Sequence, residues 1–536
     1  MNNNNRFLPL LLSLCVIIGI LLGTFFTQHY SDPKKDVINA EGIEKVDTLL
    51  RIIDRDYVDT ISLNDLVEKT LPKILAELDP HSKYIQASDV EQSQEDLVGH
   101  FSGIGIRFSM INDTVTVMNI VKGGPSERSG LLTGDRLVKA NNDTLVGITD
   151  QEVMKLLRGE KGTKVTLTAL RRGSKKPLTF ETVRGDVPIE TVNAYFMLND
   201  HTGYIAIKSF GSNTYSELLV ALAELSFKGM EDLIIDLRGN GGGYMEICIY
   251  MVNEFLGDNR LIVYTDGRNA ERQDFRSDGR GAFQNLPLVV LVDELSASAS
   301  EIFAGAIQDN DRGTLIGRRS FGKGLVQTPY EFKDGSMVRL TIARYYTPSG
   351  RCIQRPYEPG KGEEYYDDLL LRYERGEFFT QDSIHLDGPE YKTRLGRTVY
   401  GGGGIMPDIF VPDDTTLYTS YFKEAVFNGL TAQYAFEFAD RNRRKLESLE
   451  TASAMESWLK QQNIVEQFAT FASQHGLPRR NLMLHKSAPL FERNLFSYII
   501  YNAGDEALRL QYLCKYDPTI KEALKVLENG EATPTK

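Results

Sequence analysis

Leu233-Ile234-Ile235-Asp236-Leu237-Arg238-Gly239-Asn240-Gly241-Gly242-Gly243 is the stretch that decides the fold. Its first half is apolar almost without a break, the pattern of a strand covered on both faces rather than of one that alternates between core and water. Its second half is a turn built from glycine. Upstream lie another apolar strand, Tyr204–Ile207, and a helix over Thr214–Leu225. Downstream come a helix from about Tyr244 to Leu256, the strand Leu288–Val292 and a helix that begins near Ser298. This alternation predicts an α/β core with buried strands. Backbone N–H groups freed by the glycine turn can point at a carbonyl oxygen, although a plain strand-to-helix connection fits the segment equally well. A phosphate-binding loop does not fit, because the Walker Lys-Ser/Thr and the G-x-G-x-x-G spacing are both missing.

Two further segments carry possible chemistry. Ser296-Ala297-Ser298-Ala299-Ser300-Glu301-Ile302 follows a buried strand and opens a helix. A serine at such a junction is exposed, and the helix N-terminus favours a developing oxyanion. The same serines also suit a simple helix cap. Ser320-Phe321-Gly322-Lys323-Gly324-Leu325-Val326-Gln327 offers a lysine beside apolar neighbours, with Gln327 four residues on to orient its amine. A serine hydroxyl needs a base, and lysine is one only when neutral. Burial must bring its pKa from about 10.4 to about 7–8. An exposed lysine in a glycine loop is the competing reading.

The 536 residues carry a net charge of −12, spread along the chain, and no stripe of Lys/Arg interleaved with aromatics, which argues against nucleic acid as a partner. Of the four cysteines, Cys15, Cys248, Cys352 and Cys514, none lies in a CxxC spacing, so neither zinc nor a disulfide framework is expected; a single bridge stays open. Phe7–Phe26 is an uncharged run preceded by Arg6. At about 1.5 Å per residue it spans about 30 Å, enough to cross a bilayer. It reads as an uncleaved anchor in preference to a signal peptide, with the N-terminus inside and the body outside the cytoplasm. The organisation expected is an anchor or signal at 1–30, a linker and helical segment at 31–90, a strand-rich unit at 91–186, the α/β core at 187–414 with an insertion at 355–400 that shows no clear period, and a helical region at 415–536 broken once at Gly476 and Pro478.

Taken together and in this order, the three segments resemble the C-terminal processing, or tail-specific, proteases: Ser–Lys serine endopeptidases with a core related to the crotonase and Clp-protease fold. The resemblance implies Ser298 as nucleophile, Lys323 as general base, Gln327 as its support, and the backbone N–H groups of Ala299 and Gly242 as oxyanion donors, with Ser296 and Ser300 as fallback nucleophiles. It implies no metal or organic cofactor. The unit at 91–186 is similar to a PDZ domain, with Gly103-Ile104-Gly105-Ile106 as carboxylate-binding loop and Gly123-Gly124-Pro125 through Leu131 as supporting pattern. The implied partners are proteins or peptides with free C-termini. A membrane contact through the N-terminus and a homo-oligomer are further expectations. The implied location is the bacterial inner membrane with the body in the periplasm, or a soluble periplasmic form if the leader is cleaved.

Two rivals are weighed. A trypsin-like protease with PDZ domains needs Gly-Asn-Ser-Gly-Gly, where this chain has Gly239-Asn240-Gly241-Gly242-Gly243. A non-catalytic PDZ scaffold would not need both Ser298 and Lys323. The sequence departs from the simplest family pattern in the 355–400 insertion, which could cover the active-site mouth, cap the PDZ unit or bind a partner, and in the helices beyond 415.

Overall fold

The computed structural model describes residues 13, 16–18, 41–111, 113–384 and 388–534. The Phe7–Phe26 run therefore lies almost wholly outside the described residues, and no helix among the described residues is long and apolar enough to cross a membrane. Residues up to Leu71 and residues from Pro72 onward form two separate compact units. The first contains the helix Ile43–Asp56, which buries none of its residues.

In the second unit, residues 100–188 make a small antiparallel sheet. Strands Ile106–Ile111, Thr114–Ile120, Arg136–Ala140, Lys164–Leu170 and Leu178–Val183 follow in that spatial order, so Ile106–Ile111 is an edge strand. Alternate residues Val115, Val117, Leu137, Val165 and Leu167 point into one core with Val153 and Leu157 of the helix Asp150–Leu157. That helix starts at Asp150 because Thr149 and Glu152 form a reciprocal capping box. A two-strand neck, His100–Gly103 on Gly185–Pro188, joins the unit to the rest.

The core comprises β1 (Val192–Met197), β2 (Thr202–Ile207), α1 (Thr214–Phe227), β3 (Asp232–Asp236), α2 (Met245–Asn253), β4 (Leu288–Val292), α3 (Ala299–Asp309), β5 (Thr314–Gly317), β6 (Leu325–Glu331), β7 (Met337–Tyr346), α4 (Gly362–Glu374) and β8 (Ile409–Phe410). One sheet has the order β1-β2-β3-β4-β5-β8, parallel from β2 to β8 with β1 antiparallel at the edge. The β6–β7 hairpin belongs to a second sheet.

The continuous apolar strands are explained by cover on both faces. Ile205, Leu233, Ile235, Leu288 and Val290 meet α1, α2 and α3. Their sequence neighbours Tyr204, Ile234, Val289 and Leu291 point the other way, onto Ile520, Ala523, Val526 and Leu527 of the helix Pro518–Glu528. Arg238, just past β3, pairs with Asp517 at 2.8 Å and pins the start of that helix. The last C-terminal helices thus cover the far face of the sheet, whereas Tyr421, Tyr434, Phe468 and Phe491 of the preceding helices pack into a core of their own.

Two expectations are corrected. The 415–536 region breaks more often than at Gly476 and Pro478: Gly429 and Asn463 sit in left-handed backbone, and Thr451, Asp505 and Asp517 cap new helices with their side chains. The insertion at 355–400 contains a regular helix, α4, whose period is masked because buried Tyr365 and Arg372 face inward among charged neighbours.

Candidate active site

The turn after β3 and the start of α3 are folded against each other. Asn240, fully buried, donates from Nδ2 to the Ile207 carbonyl at 2.9 Å and accepts Gly242 N–H on Oδ1 at 2.8 Å. Its own carbonyl accepts Ala297 N–H at 3.0 Å and the Ser300 hydroxyl at 2.9 Å. The Ser296 hydroxyl donates to the Leu237 carbonyl at 2.8 Å. Ser296 and Ser300 are fully buried and committed to this turn, whereas Ser298 lines an open cleft of about 590 Å³.

Ser298 has φ +58°, a left-handed conformation that a serine adopts at a cost on the order of 1–3 kcal/mol. Each fully buried Leu, Ile or Val of the sheet contributes roughly 1.5–3 kcal/mol, so a few such residues offset that strain. The backbone is held there by Glu301, whose Oε2 accepts Ser298 N–H at 2.9 Å. Gly242 fits against the serine only because it has no side chain: a Cβ there would lie 2.7 Å from the Ser298 Cβ and 2.8 Å from the Ala297 carbonyl oxygen. Ala299 N–H sits in the first turn of α3, where the helix offers it no acceptor.

The lysine loop is tied to the same carboxylate. Glu301 Oε2 also accepts Lys323 N–H at 2.8 Å, and its Oε1 accepts Gly322 N–H at 2.7 Å and the Ser320 hydroxyl at 2.5 Å. The Tyr345 hydroxyl lies between the Ser298 and Lys323 carbonyls, at 3.1 Å and 2.5 Å. Burial pushes the Glu301 carboxyl up to about 7 against the pull of its four donors.

Lys323 Nζ donates to Gln327 Oε1 at 3.1 Å. A bulge between Val326 and Gln327 in β6 turns that side chain toward the amine. Gln327 Nε2 in turn donates to the His81 carbonyl. Asp79 fixes the His81 segment by accepting His81 N–H at 2.8 Å, Ser82 N–H at 2.9 Å and the Ser82 hydroxyl at 2.6 Å. Burial lowers the Lys323 pKa to about 8, aided by the cations Arg339 and Lys83 and opposed by Glu301 and Asp79. Burial and the Lys323 charge lower His81 to about 3, so its ring is neutral.

The structure therefore brings Ser298, Ala299, Gly242 and Gln327 to one cleft and joins Lys323 to it through Gln327. Gly103–Ile106 lie elsewhere, where the neck meets the edge strand, with Gly105 at φ +76°. The neck also reaches the cleft: Gln94 and Leu97 before it and Ile189 and Glu190 after it are wall residues. No residue of 355–400 lines the cleft, so among the described residues the insertion covers neither its mouth nor its floor. Sequence reasoning missed Glu301, although it stands at the capping-box spacing from Ser298. It gave neither Asp79 nor Tyr345 a role at the site.

Residues 201–360 match Peptidase family S41, residues 102–182 match the PDZ domain, and residues 421–505 match a family of unknown function. A "Probable CtpA-like serine protease" of Staphylococcus epidermidis is 31% identical over 65% of this chain and 71% of its own length.

The chain belongs to peptidase family S41.

A protein of the same description from Staphylococcus aureus is 30% identical over 67% of this chain and 71% of its own. The solved photosystem II D1 C-terminal processing protease is 26% identical, covering 69% of this chain and 92% of its own at a TM-score of 0.35. This S41 peptidase is a serine protease with a PDZ domain, an S41 core and helical segments on either side of it. Its described cysteines, Cys248, Cys352 and Cys514, are unbridged.

Proposed function

We propose that this S41 peptidase is a C-terminal processing endopeptidase that works by a Ser298–Lys323 acyl-enzyme mechanism. The observation that carries the reading is an amine with a pKa of about 8, held by Gln327, beside the cleft that Ser298 lines at a helix N-terminus. Neutral Lys323 takes the proton as Ser298 attacks the peptide carbonyl. Ala299 N–H and the positive end of α3 receive the oxyanion. Gly242 N–H joins them once Asn240 Oδ1 releases it. The leaving amine takes the proton from Lys323, and water then opens the ester by the same steps in reverse.

The PDZ unit captures the free C-terminus of the substrate as an added strand on Ile106–Ile111, with the carboxylate at Gly103–Ile106. Supporting this reading are the free edge of that strand and the two neck connections that border the cleft. Capture there raises the concentration of nearby peptide bonds at Ser298. Phe7–Phe26 anchors the enzyme at the inner membrane of a bacterial cell with its body in the periplasm.

The test is hydrolysis of an unstructured protein with a free C-terminus by the full chain. Ser298→Ala and Lys323→Ala are expected to abolish product, and amidation of the substrate C-terminus to slow cleavage at least tenfold. Retained activity in either variant refutes the mechanism; indifference to amidation refutes the capture.

A further inference from the structure

A base on a glycine loop is only as well placed as the loop itself. Ser320–Gly324 contains Gly322 at φ +91°, yet it is also held by residues that belong to, or touch, the insertion. Arg372 of α4, almost fully buried, donates to the Ser320 carbonyl at 3.0 Å and to the Arg319 carbonyl at 2.7 Å. Arg355 lies 4.1 Å over the Phe321 ring and 3.8 Å over the Tyr365 ring, and its backbone N–H donates to the Gly322 carbonyl at 3.0 Å. Gln354 Oε1 accepts Gly324 N–H at 2.8 Å.

Tyr365, the buried tyrosine of α4, stands where these contacts meet. Its hydroxyl accepts from Gln354 Nε2 at 3.2 Å and lies 3.0 Å from His81 Nε2. Its ring meets Phe321 and His81 edge-on, at 6.0 and 5.1 Å between centroids. On one side it touches the loop that carries Lys323; on the other it touches His81, whose carbonyl holds Gln327. Next to it, Tyr366 donates to the Pro80 carbonyl at 2.9 Å.

We propose that the insertion is a brace for the general base, and that Tyr365 is the positioning residue that keeps the Lys323 loop and the Gln327 support in register. The inference rests on the Ser298–Lys323 reading above. Tyr365 touches no reacting atom; it acts through His81 and Phe321. Without its hydroxyl the His81 segment loosens, Gln327 loses its fixed acceptor position, and water reaches the amine. The charged groups that then govern Lys323 are unchanged: Arg339 and Lys83 against Glu301 and Asp79, with His81 neutral.

The experiment compares the full chain in detergent with Tyr365→Phe, Arg372→Lys, Ser298→Ala and Lys323→Ala. Tyr365→Phe keeps the ring contacts and removes one hydroxyl. The expected result is kcat about tenfold lower with KM within twofold, and an acid limb of the pH–rate profile moved to higher pH. Arg372→Lys, which cannot span two carbonyls as the guanidinium does, is expected to shift both readouts in the same direction. Tyr373→Phe, on α4 but turned toward Phe378 and Phe379, is expected to match the parent enzyme. Unchanged kcat and pH limb in both Tyr365→Phe and Arg372→Lys overturn the inference. So does a lower kcat with an unmoved limb and a lower melting temperature, which would mark a merely structural role. Activity surviving in Ser298→Ala or Lys323→Ala overturns the reaction itself.

Discussion

Raising the pH from 6 to 8 is expected to speed hydrolysis about fifty-fold, because the active fraction of the enzyme is the fraction with Lys323 neutral. With its pKa at about 8, that fraction is about 1% at pH 6, about 9% at pH 7 and half at pH 8; beyond pH 8 no more than about a further twofold remains. Lys83 offers a clean perturbation. It is exposed on the strand Lys83–Ile85, pairs across that strand with Arg339, and is the second cation that lowers the amine. Removing a positive charge raises the pKa of a neighbouring amine. In Lys83→Gln the limb is therefore expected to move up by a few tenths of a unit. Activity at pH 7 should fall up to about twofold while the plateau at pH 10 stays level. The assay is kcat/KM for a quenched-fluorescence peptide from pH 5.5 to 10, with Ser298→Ala as background. A profile flat between pH 6 and 8, a limb near the ordinary lysine value, or a limb that moves down in Lys83→Gln would each refute the reasoning.

Glu301→Gln puts an NH2 group among four donors that all need an acceptor, so activity is expected to fall at least a hundredfold, read as kcat, with peptide affinity of the PDZ unit measured separately and unchanged. Gly242→Ala drives a methyl into the Ser298 Cβ and forces a side chain onto φ +102°; hydrolysis and active-site labelling by a fluorophosphonate are both expected to disappear. Lys323→Met is expected to abolish hydrolysis yet raise the melting temperature at pH 7 by a few degrees, since a buried charge is removed. The native fold holds the amine at about 8 against 10.5 in the unfolded chain, so the unfolded chain binds the extra proton between those values. The native enzyme therefore gains stability as pH rises through that window, and the advantage of the methionine should fade by pH 10.5.

The strands of the core were legible because parallel strands under helices on both faces need apolar residues at every position, and Leu288–Val292 appears in the structure with the limits read from sequence. What covers the far face of the sheet was not legible. The apolar residues of Pro518–Glu528 fit any amphipathic helix, and nothing local says that they meet Ile234 and Val289. At the site, Ser298, Lys323 and Gln327 could be singled out because each lies in a short motif. Glu301 was overlooked because a capping glutamate and a carboxylate that binds two loops look the same in one dimension. Tyr365 and Arg372 were out of reach: an inward tyrosine and arginine among charged neighbours carry no period, and their meaning comes only from carbonyls some fifty residues away.

The helix Pro518–Glu528, laid along β4 and β5 on the side of the sheet away from α3, has a bearing on timing. A growing chain that has already emitted its nucleophile still lacks this slab of Ile520, Ala523, Val526 and Leu527, and a naked apolar sheet cannot hold a strained serine in place. Competence to cut is thereby expected only once Pro518–Glu528, far beyond Ser298 along the chain, has been made and docked.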